Sequence, residues 1–209
     1  MLERRLFVTL PFDDVIKVST WLTKKFRLIK KAPSAKKRLV YRGQVYWCEF
    51  GENVGSEQSD RRPALILSNN PANKTSPNVI VAPITNTSST NPSVFPLNRS
   101  ATSPLQGNVL LANIKTLSKA RLGDLIDTLP KSEMPGIEKA LFNAIGVAGK
   151  IDTLEKQLQR TSKHLEKTKE ERNEAQDTLK QIAISLNLDE SASGDDIIKK
   201  IERLSSEKG

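Results

Sequence analysis

The chain has 209 residues, of which 37% are hydrophobic and 27% charged, and its formal net charge is +9. This composition predicts one compact core with extended attachments. The single cysteine, Cys48, excludes an internal disulfide and a cysteine-cluster metal site, and it favours a reducing cytoplasm. No apolar run approaches the roughly 18 residues of a membrane span, and residues 6–10 are a poor signal-peptide core, so no membrane partner is expected.

The excess of positive charge lies almost entirely at the N-terminus. Residues 1–38 contain eleven Lys or Arg against three Asp or Glu, residues 39–147 contain ten against eight, and the remainder contains twelve against thirteen. Concentrated basic charge attracts phosphate backbones or anionic membrane surfaces. The N-terminal segment is therefore where the charge indicates such a partner.

A basic amphipathic helix is predicted after Pro11, with Asp13 or Asp14 as its cap. Its apolar residues repeat at helical spacing and are Val15, Val18, Leu22, Phe26 and Ile29. Residues 32–38, with a proline and a basic run, are predicted to be a linker. The apolar face could pack within or between protein chains, capture RNA together with the lysines, or adhere to an anionic membrane. Packing is the preferred interpretation.

From Val40 onward, short β-rich runs alternate with turn-rich segments. The predicted strands are residues 44–50, 64–68, 79–84, 94–97 and 108–115, and the longest turn-rich segments are residues 51–62 and 69–77. A helix is predicted over residues 132–147, with Ile137, Leu141 and Ile145 buried. This spacing indicates a small antiparallel barrel closed by one helix.

Beyond Gly149 a heptad pattern runs over five repeats, which is typical of a coiled coil. Its seam is apolar at the ends and polar at the centre, which would weaken a parallel homodimer, so antiparallel pairing with another helix stays open. Residues 191–194 are predicted to break the helix before a short last one. Four segments follow: a basic arm and linker (1–38), a barrel (39–148), a coiled-coil helix (149–188) and a short terminal helix (189–209).

The familiar constellations of hydrolases are missing from the sequence. His164 is the only histidine and falls in the heptad region, where a solvated helix face is expected, and no Ser-His-Asp set, HExxH motif or Walker loop is present. The remaining polar cluster is the loop of residues 55–63. Pro63 forces Arg62 toward an extended conformation, which gives its side chain a defined direction. From this loop alone, the preferred interpretation is that Arg62 is structural or simply solvated, and not functional.

Five runs of sequence, in this order, resemble the successive signatures of MazF/PemK toxins. They are RGQVYW (42–47), VGSEQ (54–58), RPALILSN (62–69), VAPIT (81–85) and KTLSKARLG (115–123). Any one of these runs would be weak evidence, but five in family order are highly specific. The resemblance covers about half of the chain and neither of its two appendages.

The resemblance implies an α+β fold, namely a small SH3-like antiparallel β-barrel with peripheral helices, to which the C-terminal long helix is added. It also implies the toxin of a toxin–antitoxin system, a sequence-specific endoribonuclease that needs no metal or other cofactor. The ribose 2′-OH would attack the phosphate and leave a cyclic phosphate. The implied partners are single-stranded RNA, a cognate antitoxin and further copies of the chain in a homodimer or higher oligomer. The alternative is a non-catalytic barrel that inhibits a protein or serves as a coiled-coil scaffold.

By motif, the resemblance assigns catalytic roles to three residues. Arg62 would donate to the scissile phosphate, and Thr85 would hydrogen-bond the phosphate or the developing oxyanion. Glu57 would activate the 2′-OH, unless it pairs with a neighbouring arginine. Substrate contacts are implied for Ser56, Gln58, Asn69, Asn73 and Lys74, although Ser56 and the asparagines could instead shape their turns. Trp47 could stack a base, but core packing is the preferred interpretation.

Overall fold

The computed structural model describes residues 11–87, 89–97, 99 and 103–206, and the chain divides into two units between Ala148 and Gly149. The possible signal core at residues 6–10 therefore lies outside the described residues. So do the first ten residues of the predicted basic arm and the last three of the predicted terminal helix. Among the described helices, none has the length and apolarity needed to cross a membrane.

The described part of the first unit combines an antiparallel sheet with helices. In chain order its elements are α1 (Phe12–Ala35), β1 (Gln44–Gly51), β2 (Asp60–Ile66), α2 (Asn70–Thr75), β3 (Asn78–Thr85), β4 (Val94–Leu97), β5 (Gly107–Leu110), β6 (Lys115–Ser118), β7 (Leu122–Thr128) and α3 (Met134–Ala144). The second unit contains most of α4 (Ala148–Ser185) and all of α5 (Gly194–Ser206). The predicted α+β class is confirmed, with an antiparallel sheet, peripheral helices and a long C-terminal helix.

The seven strands form one sheet in the order β4-β5-β3-β2-β1-β7, and β6 pairs with β3 beside that path. Because side chains alternate along β1, β2 and β3, the sheet buries one apolar cluster on each face. The cluster around Leu65 packs against Ile137 of α3. The cluster around Ile66 packs against Leu122 at the start of β7. Both faces of the sheet thus carry buried apolar residues.

Several strand boundaries differ from the predicted ones. β2 begins at Asp60, four residues before the predicted start, because its first residues pair with β1. The predicted strand 108–115 is two strands, since a 3₁₀ turn at Leu111–Asn113 separates β5 from β6. β7 is missing from the prediction, because Asp124 and Asp127 interrupt its apolar alternation.

The helix predicted over residues 132–147 is shorter in the structure, where α3 ends at Ala144. Gly146 follows with a φ of +74°, and the amide of Val147 donates to the carbonyl of Phe142, as in a glycine-terminated helix. This early end leaves Ile145 exposed, contrary to its predicted burial, whereas Ile137 is buried as predicted.

Helix α1 packs on the sheet through the face opposite its predicted apolar stripe. The five stripe residues named above are 45–61% exposed. Contact with the sheet comes instead from Trp21, which lies against Gly51, while Ala35 is buried near the end of the helix. Within the chain, α1 therefore packs on the sheet while its stripe stays exposed, and packing of the stripe against another chain stays a prediction.

The ends of α1 also differ from the prediction. The helix starts directly after Pro11 without a side-chain cap, so Asp13 and Asp14 lie in its first turn, where negative charge is favourable. It continues through Pro33 to Ala35, so the predicted linker begins inside the helix. Shortly beyond it, the guanidinium of Arg38 donates to two carbonyl groups of residues 122 and 123, both at 2.6 Å. These bonds fix the helix end to β7.

In the second unit, α4 is one continuous helix that ends at Ser185, before the predicted break at residues 191–194. Asn187 then adopts a φ of +53°. At the start of α5, Ser193 and Asp196 exchange side-chain to backbone hydrogen bonds, and the bonds from Ser193 lower the pKa of the Asp196 carboxyl. Pairing of α4 as a coiled coil stays a prediction.

Candidate active site

An open cleft of about 530 Å³ lies where β2 begins and β3 ends. The register of these strands pairs Ala64 with Pro83, and Arg62 and Thr85 each lie two residues beyond that pair, where both line the cleft. The cleft is lined by Trp47, Arg62, Pro63, Ile84, Thr85, Asn86, Thr87, Ser103, Pro104 and Gln106. The structure therefore brings together the two residues that the five motifs single out most clearly.

The guanidinium of Arg62 is held by the loop that joins β1 to β2. Its Nε donates to the carbonyl of Ser59 at 2.8 Å, and its Nη1 donates to Oε1 of Gln58. Asn53 stiffens the same loop by donating to the carbonyl of Gln58 at 2.7 Å. These bonds use only part of the guanidinium's donors, so Arg62 is oriented and can still bind an anion.

The hydroxyl of Thr85 lies at the end of β3, on the lining of the same cleft. It makes two long contacts of 3.4 Å with Thr87, one to the hydroxyl and one to the amide. Asn108 of β5 fixes this turn by donating to the carbonyl of Thr87 at 3.0 Å. Because the contacts of the Thr85 hydroxyl are weak, a phosphate oxygen could replace them.

Trp47 lines the cleft and is 37% exposed, so the preference for core packing was wrong. It lies on the face of β1 opposite the buried Tyr46 and Cys48. The guanidinium carbon of Arg61 lies 5.3 Å from the centre of its ring, within the range of a cation–π contact. An exposed indole beside Arg62 gives the cleft a surface on which a base can stack.

The remaining residues of the first loop lie outside the cleft lining. Oε2 of Glu57 is 2.9 Å from the Nζ of Lys115, so its ion-pair partner is this lysine and not Arg61 or Arg62. Ser56 is exposed next to it. Of the three loop residues with predicted roles, only Gln58 contacts Arg62.

Three predicted substrate residues belong to the connection between β2 and β3, at the far end of the strands. β3 begins at this connection and ends at Thr85 in the cleft, and the six residues from 79 to 85 span roughly 20 Å. Asn69 caps α2 by accepting from the amide of Ala72 at 2.8 Å, and Lys74 is exposed on the same helix. The structure therefore does not bring these residues together with Arg62.

Asn73 is fully buried, which corrects its prediction as a substrate contact. The side-chain Oδ1 of Asn73 accepts from the Ser68 hydroxyl at 2.6 Å, and its Nδ2 donates to the Ser68 carbonyl at 2.8 Å. Its own carbonyl accepts from the Nζ of Lys119, whose pKa is lowered by burial. The turn-forming interpretation thus holds for this asparagine, because its polar groups satisfy a buried turn.

Replacing Asn73 by alanine should lower the free energy of unfolding by about 1–3 kcal/mol, because the partly buried hydroxyl and carbonyl of Ser68 lose their partners. Urea unfolding of the full chain measures this. Lys74→Ala is the matched control on the same helix and should change stability by less than about 0.5 kcal/mol. Equal stability of the two variants would contradict the structural role of Asn73.

Sequence reasoning missed other residues of the cleft. Asn86 and Thr87 directly follow Thr85, so the polar run after a buried strand was a usable signal. Gln106 reaches the cleft because β5 pairs with β3, and no local pattern shows that pairing.

Cys48 is not a candidate nucleophile, because burial raises the pKa of its thiol to about 12 against the opposing charge of Arg121. Within the described ranges, no three His, Cys, Asp or Glu side chains are grouped closely enough to hold a metal ion.

Comparison with known sequences identifies relatives of the central segment. A family model described as "PemK-like, MazF-like toxin of type II toxin-antitoxin system" matches residues 41–145. Endoribonuclease MazF1 of Mycobacterium bovis is 36% identical over 106 residues, which cover 51% of this chain and 92% of that protein. Endoribonuclease MazF of Staphylococcus epidermidis is 33% identical over 114 residues, which cover 52% and 93%.

Solved structures that match this chain cover the same part of it. An endoribonuclease from a mycobacterial species matches with a TM-score of 0.44 and 33% identity, covering 53% of this chain and 94% of the other. MazF from Deinococcus radiodurans matches with a TM-score of 0.47 and 24% identity, covering 52% and 98%.

Proposed function

Because the chain belongs to the family of PemK-like and MazF-like toxins, we propose that it is an endoribonuclease that cuts single-stranded RNA. One observation carries this proposal: Arg62 and Thr85 share an open cleft with the exposed ring of Trp47. An arginine and a hydroxyl suit a phosphodiester, and an aromatic ring suits an unpaired base. The cleft thus offers contacts for both parts of a nucleotide.

In the proposed reaction, the 2′-OH of a ribose gives its proton to a base and its oxygen attacks the adjacent phosphorus, while the 5′-oxygen leaves and takes up a proton from water. The products are a 2′,3′-cyclic phosphate and a 5′-OH end. The guanidinium of Arg62 supplies the positive charge that balances the phosphorane, in place of a metal ion. Thr85 donates its hydroxyl hydrogen to a phosphate oxygen. Both interactions strengthen as negative charge develops on that group.

The reaction also needs a base for the 2′-OH, and Glu57 is the proposed one. Its ion pair with Lys115 holds it outside the cleft lining. The side chain of Glu57 must therefore leave Lys115 and turn toward the cleft when RNA binds, while the backbone of the loop keeps its hold on Arg62. Gln58 acts through Arg62 in this scheme, and the exposed Ser56 meets RNA at the rim of the cleft.

We further propose that the antitoxin of this toxin places an acidic segment over the cleft. A carboxylate on Arg62 imitates the phosphate charge, so antitoxin and RNA would compete for the same guanidinium. A second copy of the chain is the remaining proposed partner, in a homodimer or higher oligomer.

The test of the proposed function is incubation of the full chain with a long single-stranded RNA in EDTA, followed by mapping of the RNA ends. We expect cuts at one short sequence. Intact RNA at high protein concentration would contradict the proposal and would favour a non-catalytic barrel that binds a protein.

A further inference from the structure

Helix α1 contacts the start of the loop that holds Arg62, although it precedes the family-matched residues 41–145. The indole of Trp21 lies against Gly51, the last residue of β1. A Cβ atom added to Gly51 would lie 2.4 Å from Cζ2 of this indole, and the φ of Gly51 is +92°. Only glycine fits there, because of both its backbone conformation and its neighbour.

Arg121 connects the indole to the end of β1. Its guanidinium carbon lies 5.1 Å from the centre of the Trp21 ring. Its Nη1 donates to the carbonyl groups of Glu49 at 2.9 Å and Phe50 at 3.0 Å. The Trp21 ring is therefore in contact with both Gly51 and the arginine that binds the two preceding carbonyls.

Lys24, one helical turn beyond Trp21, binds the same strand. Its Nζ lies 2.6 Å from Oε2 of Glu49, whose side chain is only 16% exposed. Oε1 of Glu49 lies 3.9 Å from Nε of Arg61, and Arg61 stacks on Trp47 in the cleft. A row of charged contacts thus runs from α1 to the cleft lining.

The two ends of the loop that joins β1 to β2, residues 52–59, meet at Gly51. This residue pairs with Asp60 across β1 and β2, after a register shift, and Asp60 adopts a φ of +63°. The loop of residues 52–59 closes on this pair, and its residues Gln58 and Ser59 hold the guanidinium of Arg62. Fixing Gly51 therefore fixes the base of the loop that orients Arg62.

We propose that Trp21 and Lys24 are positioning residues for Arg62, so that α1 contributes to catalysis by the ribonuclease. The proposal rests on the proposed function and extends it to a helix outside the family-matched segment. A misplacement of about 1 Å by a distant change can cost roughly a hundredfold in rate. Loss of either α1 contact should therefore slow cleavage more than it weakens RNA binding.

The test compares full-length Trp21→Ala and Lys24→Met with matched controls from the exposed face of the same helix, Phe26→Ala and Lys25→Met. Hydrogen exchange of residues 52–59, followed by mass spectrometry, reports the loop without any need for activity. We expect faster exchange there in the first pair, with kcat for RNA reduced about ten- to a hundredfold and KM changed by less than about threefold. Trp21→Phe should recover most of the rate, and the controls should match wild type.

Unchanged loop exchange in Trp21→Ala and Lys24→Met would overturn the inference, whether or not RNA is cut. A rate loss that follows the fraction of unfolded chain, with no recovery in Trp21→Phe, would overturn it as well. A wild-type chain that does not cut RNA would instead overturn the proposed function, and with it the catalytic role of α1.

Discussion

Replacing Arg62 by alanine should lower the rate of RNA cleavage by roughly 10²–10³-fold, the usual cost of removing one group that stabilises transition-state charge. Arg62 lies at the mouth of the cleft and its removal leaves no cavity in the core, so the fold should persist. Arg62→Lys keeps the charge but loses the planar fork that Gln58 and Ser59 orient. It should recover only a small part of the rate.

Single-turnover cleavage of a short RNA, with circular dichroism as the check on folding, measures this effect. Arg172→Ala is a suitable control, because Arg172 is an exposed arginine of α4, far along the chain from the family-matched segment. The control should cut at the wild-type rate. A folded Arg62→Ala chain that cuts at more than about one tenth of that rate would contradict the assigned role.

Replacing Gly107 by alanine should impair both stability and cleavage. A Cβ atom at Gly107 would lie 2.4 Å from the backbone oxygen of Thr85 and 2.9 Å from Oδ1 of Asn86. The φ of Gly107 is +106°, which alanine adopts only with strain. Strain and overpacking together should cost about 2–5 kcal/mol in the free energy of unfolding. Any relief by movement of β3 displaces Thr85 from the cleft.

Urea unfolding and the cleavage assay together test this prediction. The matched control is Gly149→Ala, because a Cβ atom there meets nothing within 4 Å and Gly149 lies in the first turn of α4. That variant should be neutral or stabilised by up to about 1 kcal/mol. If Gly107→Ala were as stable and as active as Gly149→Ala, the close approach of β5 to Thr85 would be wrong.

The strands could be predicted where their apolar residues form a continuous or alternating run. Residues 79–84 were assigned to a strand because they are almost wholly apolar, as a strand buried on both faces should be. β7 could not be found in this way, since its two acidic residues, Asp124 and Asp127, are three positions apart and interrupt the apolar alternation. The packing of α1 was hidden for a related reason. Its largest apolar stripe is exposed, while one tryptophan and one lysine make the contacts with β1.

The site could be predicted only in part. Arg62 and Thr85 stand out through the motifs, and the pairing of β2 with β3 explains why they meet. Trp47 was misassigned, because a tryptophan inside a strand is usually buried, whereas this one lines the open cleft. Asn73 was expected to contact RNA and is instead buried. A sequence cannot show that its side-chain amide already has hydrogen-bond partners within the turn.

The most direct measurement uses two synthetic RNA strands that carry the mapped cleavage sequence, one wholly ribose and one with a single 2′-deoxy nucleotide immediately before the cut. Both are incubated with the full chain in EDTA, and their products are weighed by mass spectrometry. The proposed mechanism predicts that the first strand yields a 2′,3′-cyclic phosphate and a 5′-OH end, while the second stays whole. Cleavage of both strands would contradict attack by the 2′-OH, and cleavage of neither would contradict the ribonuclease itself.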